Sequence, residues 1–177
     1  DEDGRPVGAA VVAHDVTERN RRERRIRRYN RVLRGINRIF EQVIRAETEQ
    51  ALGGTCLAVA IEVTSSQIGF FGEIGADGLL HDIAISETGW DQCRMHDLSG
   101  HRRPPGDFVL HGLYGRVVDD GRSLVTNDPS AHPNSIGVPD GHPPLTSFLG
   151  VPLTHEGKTI GMLAVANREG GYGHEQR

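Results

Sequence analysis

Apolar residues recur along this chain with two different periods. Between Glu18 and Glu47 they return every three or four residues, the spacing of one face of an α-helix, and the only glycine or proline there is Gly35. Six of these positions repeat with the seven-residue period of a coiled coil. They are Ile26, Tyr29, Leu33, Ile36, Phe40 and Val43. We therefore predict a long helix, residues 18–47, whose seam (these six side chains) pairs two chains in a homodimer.

Two further patterns describe how this helix begins and what it packs against. Val32 and Ile39 widen the apolar stripe, so the helix is expected to pack on its own domain as well as on a partner helix. Thr17 and Thr48 are candidate N-caps, because a threonine hydroxyl accepts a hydrogen bond from an unpaired backbone N–H. Thr48 precedes a second predicted helix at 49–65. The apolar face of that helix contains Leu52, Cys56, Val59 and Val63.

The rest of the chain has the short apolar runs that indicate β-strands. Two hairpins are predicted, one around the turn GADG (residues 75–78) and one around a His-Glu-Gly turn (residues 155–157). Between them we predict one helical turn after Ser86, a short amphipathic helix ending at Gly121, a strand, and a long loop rich in proline and glycine. Consecutive strands joined by short turns form an antiparallel sheet. The predicted class is therefore α+β, with helices covering the sheet.

Composition limits the kinds of protein that fit this pattern. With 177 residues the chain can form one domain with a core, and a fragment of a second. No apolar run approaches the ~18 residues of a membrane span, and no apolar leader is present, so we expect no membrane contact. The two cysteines, Cys56 and Cys93, give no disulfide framework. These features together favour a cytoplasmic location.

Charge divides the chain into two parts. Residues 1–45 carry twelve arginines against seven acidic residues, a net charge of +5, whereas the remainder carries eight basic residues against seventeen acidic ones, −9. An arginine-rich segment is also a pattern of nucleic-acid binding. However, the apolar seam runs through these arginines and the rest of the chain is acidic. We therefore expect a partner helix rather than a nucleic acid.

Several segments resemble a GAF domain, a small sensory module of signalling proteins. "GRVVDDGRSLVTND" is similar to the helix, turn and strand before the ligand loop of that family, and "SFLGVPLTHEGKTIGMLAVANREGGY" to its closing hairpin. Asn167, Arg168 and Tyr172 also match the start of the pattern found in cyclic-nucleotide-binding members, although its acidic position is Gln176. The resemblance covers about residues 30–177. It implies a GAF-like antiparallel sheet flanked by helices, with a long N-terminal signalling helix.

The first residues resemble the end of a PAS domain. "GRPVGAAVVAHDVTERN" is similar to the last PAS strand and the Asp-x-Thr-Glu-Arg junction that follows it. We therefore expect a PAS strand at 1–17, a linker helix at 18–47 and a GAF domain at 48–177 with its final helix cut short. This order resembles the sensory half of a two-component histidine kinase. A diguanylate cyclase or a similar regulator could carry the same input modules.

We expect neither catalytic residues nor a metal site. The chain has no G-x-x-x-x-G-K-[ST], G-x-S-x-G or H-E-x-x-H sequence. The family resemblance implies instead an apolar pocket with a few polar groups for an unknown small-molecule ligand. The candidate lining residues are Phe71, Trp90, Cys93, His111, Tyr114, Asn127, Asp128, His132 and His142. Phe71 could instead belong to the core, Asn127 and Asp128 are common turn formers, and we favour a loop-capping role for His142.

Three alternatives remain open at this stage. Members of the resembled family hold haem, bilins, cyclic nucleotides or metabolites, so Cys93 could tether a tetrapyrrole and one of the candidate histidines could ligate haem iron. A free-methionine-sulfoxide reductase of the same fold would need a resolving cysteine near Cys93. A purely structural dimerisation module would bind no ligand at all.

Overall fold

The computed structural model describes residues 15–95 and 107–176, without the side chains of Trp90, Asp107 and Phe108. Of the PAS strand predicted at 1–17, residues 1–14 lie outside these ranges, and Thr17 is the first residue of a helix. Helix α1 is Thr17–Arg45 and helix α2 is Glu49–Thr64, so both predicted helices are confirmed. Three shorter helical elements follow in the described part of the chain. They are α3 (Glu87–Gln92), α4 (Gly112–Asp120) and a 3-10 turn (His174–Gln176).

The two predicted N-caps differ in outcome. The Thr48 hydroxyl accepts a hydrogen bond from the backbone N–H of Ala51 at 3.2 Å and caps α2, as predicted. Thr17 is not a cap, because it is the first residue of α1 and its own N–H donates to Oδ1 of Asp15 at 2.9 Å. Hydrogen bonds from Thr17 lower the pKa of Asp15. The side chain that receives an N–H at this helix end is therefore the aspartate, two residues earlier than predicted.

Helix α1 presents two different faces. Val32, Gly35 and Ile39 are partly buried against α2, and a Cβ built on Gly35 would lie 2.5 Å from Cγ1 of Val59. The absence of a side chain at Gly35 thus lets the two helices approach closely. The six seam residues lie elsewhere on α1 and are between 41% and 64% exposed. The prediction that α1 packs on its own domain is confirmed, whereas its pairing with a second chain stays a prediction.

A six-stranded antiparallel sheet forms the centre of the domain, as the α+β prediction requires. Its strand order is β3-β2-β1-β6-β5-β4, and every neighbouring pair is antiparallel. Both predicted hairpins are present. The strands are β1 (Ile68–Ile74), β2 (Leu80–Ile85), β3 (Asp107–Phe108), β4 (Leu124–Thr126), β5 (Phe148–His155) and β6 (Lys158–Ala166).

The turn between β5 and β6 explains how their register is set. Glu156 and Gly157 both have positive φ, 49° and 78°, which is the backbone of a type I′ hairpin turn. This turn twists in the same sense as the strands, so it pairs His155 directly with Lys158. The register set by the turn extends to Thr154 opposite Thr159; it shifts by one residue between Thr154 and Leu153, and from Leu153 opposite Gly161 the pairing runs to Phe148 opposite Ala166.

Each face of the sheet carries its own apolar cluster. On one face, Leu57 of α2 packs with Leu149 and Val165. On the other, Val117 of α4 packs with Phe148 and Met162. Because successive residues of a strand point to opposite faces, the two clusters share strands without sharing side chains. The layers are therefore α1, α2, the sheet, and finally α4.

No helix among residues 15–95 and 107–176 is long and apolar enough to cross a membrane. Helix α1 has 29 residues, a sufficient length, but arginines dominate its first half.

Two adjacent glycines of α2 provide a test of how closely this helix packs on the sheet. A Cβ on Gly53 would lie 2.5 Å from Cγ2 of Ile83 and 2.9 Å from the Phe71 ring, whereas one on Gly54 has no atom within 4 Å. Gly53→Ala and Gly54→Ala both gain the ~1 kcal/mol by which alanine exceeds glycine in a helix. We expect the free energy of unfolding to be about 1–3 kcal/mol lower for Gly53→Ala than for Gly54→Ala, because only the first is overpacked.

Urea unfolding of the two variants measures this difference. Equal free energies of unfolding would contradict the close contact between α2 and the sheet.

Candidate ligand-binding site

An apolar cavity lies on the α4 side of the sheet. Its volume is about 90 Å³, and it is bounded by β1, β6, α4 and the segment after α3. We call it the inner cavity. The side chains that line it include Phe70, Cys93, Tyr114, Leu145, Phe148 and Ala164. For comparison, an engineered apolar cavity of ~150 Å³ binds benzene, so the inner cavity has room for a group of only a few carbon atoms.

Three aromatic rings form one wall of the inner cavity. Tyr114 meets Phe70 edge to face, with ring centroids 5.1 Å apart, and its ring centroid is 5.8 Å from that of Phe148. Such arrangements place the positive edge of one ring toward the negative face of another. Burial raises the pKa of the Tyr114 hydroxyl to about 12. This phenol therefore stays protonated throughout the physiological pH range.

A larger depression adjoins the inner cavity. We call it the outer groove; it has a volume of about 500 Å³ and lies between the start of α4 and residues 129–139. Both spaces are lined by Met95, Tyr114, His142 and Leu145. These four residues therefore lie at the boundary between the two spaces. The outer groove is less uniformly apolar, because His111, Ser130 and Ser135 also line it. Volumes of this size are typical of small-molecule sites.

Residues 127–147, which we call the pocket loop, are held by short-range hydrogen bonds. Oδ1 of Asp128 accepts hydrogen bonds from the Ser130 hydroxyl at 2.7 Å and from the Ala131 N–H at 3.1 Å. These bonds lower the pKa of Asp128. Nδ1 of His132 accepts from the N–H of Asn134 at 3.2 Å. The first half of the loop therefore builds its own turns from its polar side chains.

The second half of the pocket loop is pressed against the segment after α3. The carbonyl of Gly141 accepts a hydrogen bond from the N–H of Arg94 at 2.7 Å. Gly141 has a φ of 83°, and a Cβ there would lie 2.6 Å from the carbonyl carbon of Arg94. Glycine is required at this position both by the backbone conformation and by the close approach. This contact brings the neighbouring His142 to the boundary of the two spaces.

His142 is oriented by its own backbone surroundings. Its Nδ1 is 2.6 Å from the carbonyl oxygen of Pro143, and its backbone N–H donates to the carbonyl of Pro139 at 3.0 Å. A carbonyl oxygen can only accept, so Nδ1 carries a proton and donates it. In the neutral imidazole, Nε2 then holds a lone pair. No hydrogen bond joins Nε2 to any residue in the described part of the chain.

One buried amide joins the end of the pocket loop to β6. Oδ1 of Asn167 accepts from the N–H of Thr146 at 2.9 Å and from its hydroxyl at 3.2 Å, and Nδ2 donates to the carbonyl of Pro144 at 2.8 Å. Asn167 is 7% exposed and has a φ of 61°, a left-handed conformation that asparagine tolerates well. Its side chain therefore fixes the backbone of the pocket loop at Pro144 and Thr146, just before β5 begins.

Arg168 and Tyr172 continue this arrangement toward α2. Nε of Arg168 donates to the carbonyl of Thr64 at 2.9 Å, in the last turn of α2, where a guanidinium satisfies an unpaired carbonyl. The Tyr172 hydroxyl is 2.7 Å from that of Ser66. Asn127 bonds the backbone of Tyr172 at both its N–H and its carbonyl. The motif "NREGGY" therefore ties the pocket loop, the sheet and α2 together.

Comparison with known families identifies this architecture. A family model described as "GAF domain" matches residues 46–177. The chain belongs to the GAF domain family. Members of this family are in general sensory or regulatory domains that bind small ligands. The predicted resemblance is thus confirmed, and so is the coarse function that it implies.

Solved structures show the same fold. The GAF domain of a phosphoenolpyruvate-protein phosphotransferase from Coxiella burnetii has a TM-score of 0.64 at 18% identity, covering 82% of this chain and 83% of that one. A free methionine-R-sulfoxide reductase from Neisseria meningitidis, in complex with its substrate, has a TM-score of 0.57 at 18% identity, covering 78% and 74%. Residues 122 to 287 of a methyl-accepting chemotaxis protein give 0.54 at 17%, covering 74% and 79%. At such identities the likeness is one of fold.

The structure brings together only some of the residues predicted for this GAF pocket. Cys93 lines the inner cavity, His111 the outer groove, and Tyr114 and His142 both. Trp90 lies in α3, and its side chain is not described. Whether any of these residues binds a ligand stays a prediction.

Four predicted residues lie elsewhere. Phe71 faces α2, because side chains alternate along β1 and its neighbour Phe70 faces the cavity. Asn127, Asp128 and His132 do not line either space, since each is bonded within the loop or to Tyr172. Sequence reasoning missed the lining residues Phe70, Leu145, Phe148 and Ala164. Because side chains alternate along β1 and β6, the sequence could have grouped Phe70 and Ala164 with the other residues on one face of their strands. It could not have shown which face meets the cavity.

The inner cavity at Cys93 is by itself too small for a tetrapyrrole, which would have to extend into the outer groove. A tetrapyrrole is several times larger than benzene, whereas the inner cavity is smaller than a cavity that holds benzene. His132 does not reach either space. Among residues 15–95 and 107–176, no group of three or more His, Cys, Asp or Glu side chains could hold a metal ion.

The two cysteines lie on opposite sides of the sheet. Cys93 lines the cavity on the α4 side, whereas Cys56 belongs to α2 on the other face. Burial raises the pKa of the Cys56 thiol, which makes it less reactive. A disulfide requires Cα atoms within about 7 Å, which the intervening sheet prevents. Cys56 therefore cannot resolve an oxidised Cys93 in this fold, and the reductase alternative gains no support from the site.

The bonds of Asn167 can be tested by separating its side chain from its backbone. We expect Asn167→Ala to lower the free energy of unfolding by about 2 kcal/mol, because it removes the bonds to Thr146 and Pro144. Alanine additionally carries a cost of about 1 kcal/mol in the left-handed conformation. Asn167→Gly removes the same bonds without that cost and should be the more stable of the two.

Chemical unfolding of parent and variants checks this order. A parent-like stability of both variants would show that the amide does not hold the pocket loop.

Proposed function

We propose that this chain is the ligand-sensing input region of a cytoplasmic signal-transduction protein, most consistent with a two-component sensor histidine kinase. The observation that supports a ligand is the inner cavity, an apolar space beside a structured loop. The sequence patterns supply the context: a PAS-like strand, a seam helix and a GAF domain in this order. In this proposal the chain binds a ligand and transmits a signal, and catalysis is left to another part of the protein.

Transmission requires a physical connection between cavity and partner chain. The pocket loop ends at Thr146, which is bonded to Asn167, and the adjacent Arg168 is bonded to the last turn of α2. Helix α2 in turn packs on α1 through Val59. A ligand that fits one position of the pocket loop better than another would bias this chain of contacts and so the angle of α1.

We further propose that α1 pairs with a second copy of the chain. Six apolar side chains at heptad spacing are exposed along it, a pattern that two helices bury together in a coiled coil. Toward the N-terminus the seam positions become Arg22 and Arg19, which are bonded to glutamates of their own helix. Apolar pairing should therefore weaken beyond Ile26.

Xenon uptake tests whether the inner cavity accepts a guest. Xenon occupies apolar cavities, so pressurising the labelled protein with it should shift the amide resonances of Gly89, Cys93 and Ala164. Ala164→Leu adds three carbon atoms at the cavity wall and should abolish the shifts. Ala164→Val is the milder variant, should leucine prevent folding.

An unchanged parent spectrum under xenon would reject the ligand-sensing proposal. The chain would then fit the alternative of a structural dimerisation module.

Sedimentation tests the seam. We expect the parent to sediment as a dimer of its 19.3 kDa chain, and Ile36→Asp with Phe40→Asp as a monomer, because two carboxylates would have to be buried in the seam. Asn30→Asp with Asn37→Asp is the matched control, since it adds the same charges at exposed positions of α1 outside the seam. A monomeric parent, or a dimeric seam variant, would contradict the proposal.

A further inference from the structure

We propose that the ligand is a small uncharged molecule with a short apolar end and a hydroxyl head that donates a hydrogen bond to Nε2 of His142. This inference rests on the proposed function and names the chemical class of its ligand. The apolar end would occupy the inner cavity and the head would lie in the outer groove.

The size of the apolar end follows from the inner cavity. About 90 Å³ is less than the ~150 Å³ of a cavity that binds benzene. A branched alkyl group of four or five carbon atoms is therefore a better match than a fused aromatic system. The wall of Phe70, Tyr114 and Phe148 offers such a group apolar contact on one side.

The polarity of the head follows from His142. The bond from Nδ1 to the carbonyl of Pro143 fixes the tautomer, so the neutral ring offers a lone pair at Nε2. The ring lies where the inner cavity meets the outer groove. A second acceptor lines the groove, because the Ser130 hydroxyl gives its proton to Asp128. Both groups are complementary to a hydrogen-bond donor on the ligand.

The charge of the head follows from the residues around it. Within the described ranges, no Asp, Glu, Lys or Arg side chain lines the inner cavity or the outer groove. Among these described residues a carboxylate or an ammonium group would lose water without gaining a countercharge, which is costly. A hydroxyl loses less water and can satisfy Nε2. The arrangement therefore selects a neutral donor over either ion.

Three probes with one carbon skeleton test this selection: 3-methyl-1-butanol, 3-methylbutanoate and 3-methylbutylammonium. Titrations at pH 8, where imidazoles are in general neutral, are followed by the amide resonances of Cys93, Tyr114 and His142. We expect the alcohol to bind about 3- to 10-fold more tightly than either ion, because each ion loses hydration of its charge on binding.

His142→Asn identifies the group responsible. The asparagine amide can still donate to the carbonyl of Pro143 from the δ position, but it has no counterpart of Nε2. We expect this variant to bind the alcohol about 3- to 10-fold more weakly than the parent does. His155→Asn, at an exposed position of the β5–β6 turn, is the matched control and should bind like the parent.

The inference is overturned if either ion binds as tightly as the alcohol, or if His142→Asn binds the alcohol like the parent. Xenon uptake shows whether only the ligand class or also the proposed function has failed. Uptake without a preference for the alcohol overturns the ligand class and leaves the proposed function standing, whereas no uptake rejects both.

Discussion

The buried amide of Asn167 is the interaction on which the site depends. A loop of 21 residues, 127–147, has few apolar side chains to hold it against the sheet, so its end must be fixed by polar contacts. Asn167 supplies these contacts from the end of β6, which is itself held by pairing with β1 and β5. The position of His142 and the shape of both spaces follow from this anchorage and from the contact of Gly141 with Arg94.

The sheet separates two tasks within one domain. Its α2 face is filled with apolar side chains and carries the helices for which we propose a transmitting role, whereas its α4 face leaves the cavity that we propose for a ligand. Alternation along each strand assigns neighbouring residues such as Phe70 and Phe71 to these different tasks. Arg168 and Asn167, also neighbours, connect one face with the other through the pocket loop and the end of α2.

Local patterns predicted the elements of this fold well because each depended on a local physical rule. Thr48 caps α2 through its own hydroxyl, and the turn at Glu156 and Gly157 follows from residues that accept positive φ. The N-cap prediction at Thr17 was wrong for an equally local reason. The carboxylate of Asp15, two residues earlier, accepts the hydrogen bond at this end of α1. The lining of the two spaces was predicted less well. Asn127 and Asp128 were grouped with the pocket by chain position, yet each forms hydrogen bonds that turn it away from both spaces.

The sequence by itself determined the helices, the hairpins, the exposed seam of α1 and membership of the GAF domain family, because periodicity and turn chemistry act over a few residues. Only the tertiary structure decided which face of β1 meets the cavity, since a strand alternates equally well with either face inward. It also decided that Cys56 and Cys93 lie apart, and that Asn167 reaches back 21 positions to Thr146. These relations depend on how distant segments pack, which no local pattern records.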